Sequence, residues 1–243
     1  MRRPQVIAHR GASSERPENT LSAFLRALEL GADAVELDVH ATRDGVVVVH
    51  HDANVRMPAA DGRVANVRQI RDLTLDELGT FDVGTGERVP TLAAVLDAVG
   101  SRADVYVEIK GCDIESLVVE TIRRSAARAR CAVHSFDHRA IKRMRALAPE
   151  IPGGILLASS VLVDPGALLA SADARDFWME WQWVDEQFVR DVHEAGGRVI
   201  AWTPWDRHDI LQLASDGVDG ICADDVTALI DDLRQMAPGA EAR

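Results

Sequence analysis

Short apolar runs alternate with stretches of helical periodicity along most of the chain. Residues 5–9 read as a strand. In residues 20–30, Leu21, Phe24, Leu25 and Leu28 fall at i, i+3, i+4 and i+7, one face of a helix, and Gly31 stands where a C-cap belongs. Residues 34–39 form the next strand. Further apolar runs at 105–110, 131–136, 154–157, 177–182, 198–203 and 219–223 complete the series. Helical segments at 114–128, 138–147, 165–172, 185–195, 206–215 and 225–235 lie between them, several opening on a capping residue: Asp137, Asp164-Pro165 and Asp185. Eight strands of parallel type with intervening helices predict an α/β fold, a (β/α)8 TIM-type barrel; an open doubly wound sheet is the second choice. The barrel is expected to fill residues 1–236 as a single domain, with 237–243 as a frayed tail.

One strand breaks the alternation. Residues 46–51 follow residues 36–41 across only Thr42-Arg43-Asp44-Gly45, too short for a crossover helix, so the pair should be an antiparallel hairpin. Asp44-Gly45 favours a two-residue type I′ turn, which pairs Arg43 with Val46, Val39 with His50 and Asp38 with His51. Opposed side chains share a face, and alternation puts Glu36 and His40 on the face of Asp38. A turn one residue longer would slip this register. Residues 52–90 read as an insertion beside the barrel mouth that distorts the barrel after the second strand's hairpin. Within it Thr74-Leu75-Asp76-Glu77 spells a capping box, and Pro90-Thr91-Leu92 opens a helix over 93–99.

Composition narrows the class of function. With 47% hydrophobic and 27% charged residues the chain is an ordinary globule, and no apolar run approaches a membrane span. The formal net charge of −12 argues against nucleic acid or an anionic membrane as partner, while leaving an anionic small substrate open if cations line its site. Cys112, Cys131 and Cys222 lack metal or disulfide spacing, and the N-terminus shows no signal core, so a cytoplasmic protein is expected. A homo-oligomer remains open.

Catalytic groups of such barrels sit at the C-terminal ends of strands. There the chain places His9-Arg10-Gly11, then Glu36 and Asp38, then Glu108-Ile109-Lys110, and the hairpin returns His51-Asp52 to the same end. Inward carboxylates without partners are costly to desolvate, and a divalent ion removes that cost. Three carboxylates without cysteine suit Mg²⁺ or Ca²⁺; the alternative is that they pair with Arg10 and Lys110. His9 and His51 are candidates for acid and base. His40, His50, His134, His138, His193 and His208 are expected to be structural, exposed or packed outside. Arg10 and Lys110 suit a phosphoryl group. Trp202 is expected to line the mouth, where aromatic faces could also hold a choline-type cation. Trp178 and Trp183 are expected to pack between barrel and helices.

In this order, His9-Arg10-Gly11, Pro17-Glu18-Asn19-Thr20, Glu36-Leu37-Asp38, His51-Asp52, Glu108-Ile109-Lys110, Ser135-Phe136-Asp137, Ala201-Trp202-Thr203 and Asp219-Gly220-Ile221 resemble the glycerophosphodiester phosphodiesterase family over nearly the whole chain. The resemblance implies a distorted barrel with an insertion after its second strand. It implies a divalent metal on Glu36, Asp38 and Glu108, acid/base roles for His9 and His51, and phosphate contacts from Arg10 and Lys110. The implied reaction is hydrolysis of a glycerophosphodiester to glycerol 3-phosphate and an alcohol, within lipid and glycerol metabolism, with the metal as Lewis acid and template. The chain departs from the family pattern at Asp52-Ala53-Asn54-Val55-Arg56-Met57-Pro58, which lacks the usual threonines, and at Pro204-Trp205. Both lie where the alcohol of a substrate is expected. Rival readings are a phospholipase D-like or phosphoinositide-type enzyme on lipids, an inactive barrel kept as a binding module, and a carboxylate–metal barrel acting on sugars or aldol substrates.

Overall fold

Strand alternation sorts the apolar residues into two cores, and that sorting closes the sheet into a cylinder. In the computed structural model, which describes residues 3–56, 67–83, 86–159 and 161–236, the barrel strands are β1 (Gln5–Ala8), β2 (Ala34–Ala41), β6 (Asp104–Ile109), β7 (Cys131–Ser135), β8 (Gly153–Leu157), β9 (Asp176–Glu180), β10 (Arg198–Trp202) and β11 (Gly220–Ala223). All eight pair in parallel around the ring, and β1 closes it by pairing with both β11 and β2. One parity of each strand points inward: Ile7, Ala34, Tyr106, Ala132, Leu156, Trp178, Ile200 and Cys222 form the interior cluster. The other parity, with Val35, Leu37, Val105, Val107, Val133, Phe177 and Val199 among it, packs against the helices. Trp178 therefore belongs inside the barrel and not between barrel and helices as its sequence context suggested. It follows Phe177, whose ring takes the outer position against Phe188.

The helices are α1 (Leu21–Leu30), α3 (Leu92–Val99), α4 (Glu115–Arg124), α5 (His138–Leu147), α6 (Pro165–Ala172), α7 (Glu186–Glu194), α8 (Arg207–Asp216) and α9 (Val226–Gln235). Thr20, Thr91, Asp137, Asp164, Asp185, Asp206 and Asp225 each cap one by accepting a backbone N–H. The α4 helix stops short of the expected residue 128, because the Ser125 hydroxyl accepts from Ala127 N at 3.0 Å and turns the chain.

The hairpin is antiparallel, but its register differs by one residue from the expected one. β3 (Val47–Val49) pairs Val39 with Val49 and Ala41 with Val47. The turn is a three-residue loop: Gly45 takes φ +78°, and the Thr42 hydroxyl accepts from Val46 N at 3.0 Å. Asp44 is drawn away from turn chemistry, accepting from Leu75 N at 3.1 Å at the start of α2 (Leu75–Leu78). His50, not His51, thus stands opposite Asp38, donating its backbone N–H to the Asp38 carbonyl at 2.9 Å. Beyond Val49 the chain leaves the sheet, and this bend carries His51 to the barrel mouth.

Within 52–90, β4 (Asn54–Arg56) and β5 (Val67–Gln69) pair antiparallel, and the capping box of Thr74 and Glu77 is formed. Val55, Ile70, Leu73, Leu78, Phe81 and Val89 gather around Val48 as a separate small cluster. The expected tail 237–243 lies outside the described residues.

Gly11 shows how tightly the first loop is built. Arg10 and Gly11 both take positive φ, +57° and +85°, and a Cβ on Gly11 would meet the Ala23 backbone at 2.7 Å. Gly11→Ala should cost roughly 2–4 kcal/mol from backbone strain and overpacking combined. The denaturant midpoint checks it.

Candidate active site

At the C-terminal end of the barrel a cavity of about 330 Å³ is lined by His9, Arg10, Glu36, His51, Glu108 and Lys110. His134, Phe136, Trp178 and Trp202 complete its polar and aromatic wall. Asp38, 1% exposed, is held behind Arg10 and Lys110. A larger hollow of about 880 Å³ opens at the opposite end of the strands. Its charges are paired across it, as in Arg3 with Asp33 and Arg130 with Asp104, and in barrels of this type that end serves stability.

The carboxylates divide in character. Asp38 Oδ2 accepts from Asn19 Nδ2 at 2.8 Å and lies 3.2 Å from Arg10 Nε, while Oδ1 is 3.6 Å from Lys110 Nζ. Burial works to raise the Asp38 pKa, but these partners outweigh it and hold the carboxyl below the ordinary range. Glu36 is pushed up to about 7 by burial and by the Asp38 charge. Glu108 is also pushed up to about 7, chiefly by burial, although Lys110 Nζ lies 3.2 Å away. That contact lacks hydrogen-bond geometry, so Glu108 Oε1 is buried with no hydrogen bond. The pairing alternative thus describes Asp38, whereas the cations near Glu36 and Glu108 do not offset their burial and both keep a raised pKa.

Each candidate histidine is oriented by an aspartate. His9 Nδ1 donates to Asp224 Oδ1 at 2.6 Å, and Ser13 Oγ donates to the same oxygen at 3.1 Å. Burial would lower the His9 pKa, yet the Asp224 hydrogen bond and the Glu36 charge leave it raised. His51 Nδ1 donates to Asp52 Oδ1 at 2.9 Å, and the His51 carbonyl accepts from His40 Nε2 at 3.1 Å. In both pairs Nδ1 is occupied, which leaves Nε2 as the nitrogen available to a substrate. Arg10 Nη1 meanwhile donates to both Glu18 oxygens at 3.0 Å.

Four parts of this arrangement were not singled out for the site in the sequence: Asn19 beneath Asp38, Asp224 behind His9, His134 and Trp178. His134 is 1% exposed and inside the barrel, contrary to the expectation of a structural residue packed outside. The signal for it was strand parity, since His134 shares the inward face with Ala132 and pairs with Glu108.

The profile of the glycerophosphoryl diester phosphodiesterase family matches residues 9–228. The chain belongs to this family of enzymes. It is 34% identical to the glycerophosphodiester phosphodiesterase of Caldanaerobacter subterraneus subsp. tengcongensis over 95% of this chain and 98% of the relative. An Oleispira antarctica phosphodiesterase, solved in complex with the product sn-glycerol-3-phosphate, superposes with a TM-score of 0.86 at 27% identity, covering 96% of this chain and 97% of that one. The glycerophosphodiester phosphodiesterase of Agrobacterium tumefaciens superposes with a TM-score of 0.79 at 27% identity, covering 93% and 99%. Among the described residues no helix is long and apolar enough to cross a membrane.

Proposed function

We propose that this chain hydrolyses glycerophosphodiesters to sn-glycerol 3-phosphate and an alcohol, with a divalent ion held by Glu36, Asp38 and Glu108. The observation that carries this reading is the convergence of two aspartate-oriented histidines and two buried carboxylates, Glu36 and Glu108, on one cavity, with Asp38 directly behind its Arg10 and Lys110, in a chain of this family. The residues fit an ion. Three carboxylates sit beside the two permanent cations Arg10 and Lys110, Glu108 Oε1 has no hydrogen bond, and two of the acids resist ionisation without further positive charge. Carboxylate oxygens alone suit Mg²⁺ or Ca²⁺. When bound, the ion supplies positive charge that polarises the phosphoryl group.

The side chains do the rest. Lys110 and Arg10 neutralise the phosphate, Arg10 releasing the half-exposed Glu18 to do so. His51 takes the proton of the attacking hydroxyl, either of water, which gives sn-glycerol 3-phosphate directly, or of the substrate's own glycerol, which gives a cyclic phosphate that water then opens to the same product. His9, whose raised pKa keeps it protonated longer, donates to the leaving alkoxide. Trp202 and Phe136, edge to face with ring centroids 6.0 Å apart, border the alcohol side. An acid must be protonated to act, so activity should fall as pH rises through the His9 pKa. Asp224→Asn removes the hydrogen bond that raises this pKa, and should move the alkaline limb of the pH–rate profile to lower pH.

A second reading, action on lipid phosphodiesters, has one observation in its favour. Val161, Val163 and Trp205 are 84%, 101% and 88% exposed on loops that follow β8 and β10, at the cavity's end of the barrel. One panel separates the readings: soluble glycerophosphodiesters and phospholipid vesicles carrying lysophospholipid, each with chelator and with metal added back. Release of sn-glycerol 3-phosphate from the soluble diesters alone supports the proposal. Cleavage of vesicles alone favours the lipid reading, and no cleavage of either would leave a binding module.

A further inference from the structure

His134 has surroundings unusual for a packing residue. Its Nε2 is 3.6 Å from Glu36 Oε1, beyond hydrogen-bond distance, and its Nδ1 is buried with no hydrogen-bond partner. A buried imidazole normally satisfies its nitrogens. One oxygen each of Glu36 and Glu108 and one nitrogen of His134 lie within 4.8 Å of one another, close enough to share an ion. The ring is also fixed in place. It stacks on Trp178 at 4.1 Å between centroids and 6° between planes, with Tyr106 edge-on at 6.5 Å. The neighbouring strand contributes Gly154, where a Cβ would meet both His134 Cβ and the Trp178 indole at 3.1 Å. Room has been left for this pair of rings, and the imidazole turns its Nε2 toward Glu36, whose other oxygen accepts from Arg10 N at 3.2 Å, beside Glu108, whose Oε1 has no hydrogen bond.

We propose that His134 is a ligand of the divalent ion, together with Glu36 and Glu108, so that the centre is mixed oxygen–nitrogen and prefers Mn²⁺ and its first-row neighbours to Ca²⁺. This rests on the reading above that one ion sits among the acids, and it adds the ligand that sets which ion. Ca²⁺ is bound by oxygen, whereas an imidazole nitrogen favours first-row transition ions. Asp38 still offers Oδ1, which lies 3.6 Å from Lys110 Nζ.

The test is Mn²⁺ binding to the full chain, followed by pulsed electron paramagnetic resonance with and without ¹⁵N-histidine labelling. One Mn²⁺ should bind per chain. Its nitrogen coupling should change isotope on labelling, vanish in His134→Gln and persist in the His9→Asn/His51→Asn double variant. In competition with Ca²⁺, His134→Gln should narrow the preference for Mn²⁺ by at least the ~10–100-fold that loss of an outer-shell partner costs. If His134→Gln fails to fold, the labelled wild type and the double variant decide between them. One Mn²⁺ bound in a Glu108-dependent way but without nitrogen coupling would overturn the assignment of His134 and leave the metal reading standing. No bound Mn²⁺, or binding indifferent to Glu108→Gln, would overturn both.

Discussion

Glu108→Gln should abolish metal-dependent turnover while leaving the barrel folded. The carboxylate is 7% exposed, one of its oxygens has no hydrogen bond, and it shares its neighbourhood with Glu36 and Asp38. In the proposed mechanism it exists to hold an ion, and loss of several kcal/mol of transition-state stabilisation is a loss of about 10³-fold or more in kcat/KM. The same substitution has a separate signature without metal. The folded-state pKa of Glu108 is raised to about 7 from the ordinary 4.5 of a glutamate, so the stability contributed by its neutral form is complete below about 4.5 and is lost as pH rises through 7. Glutamine cannot ionise and does not suffer that loss. Melting curves of the metal-free proteins should therefore coincide near pH 4 and favour Glu108→Gln at pH 8. Turnover that survives the substitution, or a variant less stable at pH 8, would contradict this account of Glu108.

His9→Asn and His51→Asn should each lower kcat by about 10²–10⁴, the range expected for removal of a positioned acid or base, with a smaller change in KM. Asparagine keeps a polar group near the orienting aspartate but cannot carry the proton. Both histidines serve one reaction, so the double variant should fall short of the product of the single losses. Steady-state kinetics on a soluble glycerophosphodiester measures all three. A single variant with near-normal kcat would remove that histidine from the proposed chemistry.

The fold was legible because local and global signals agree. The runs around His138–Leu147 and Pro165–Ala172 carry their own caps, and the structure keeps those bounds. The convergence of His9, Glu36, Glu108 and Lys110 on one end was legible for a related reason, since strand ends in a parallel barrel share a rim. What stayed hidden depended on distant contacts. The hairpin register slipped because Asp44 is claimed by Leu75, a contact 31 residues away that no turn propensity encodes. His134 reads from sequence as a structural residue because a histidine on a strand has no composition signal; only the parity of β7 against β6 turns it inward. Asp224 reaches His9 across the seam where β11 meets β1, joining the two ends of the sequence.

The most direct test of the central claim is a crystal structure grown with Mn²⁺ and sn-glycerol 3-phosphate, read through the anomalous signal of the metal. The account predicts one metal peak in contact with Glu36, Asp38 and Glu108, with the phosphate beside it between His9 and His51. A bound product with no metal at those acids, or a phosphate seated away from the two histidines, would contradict it.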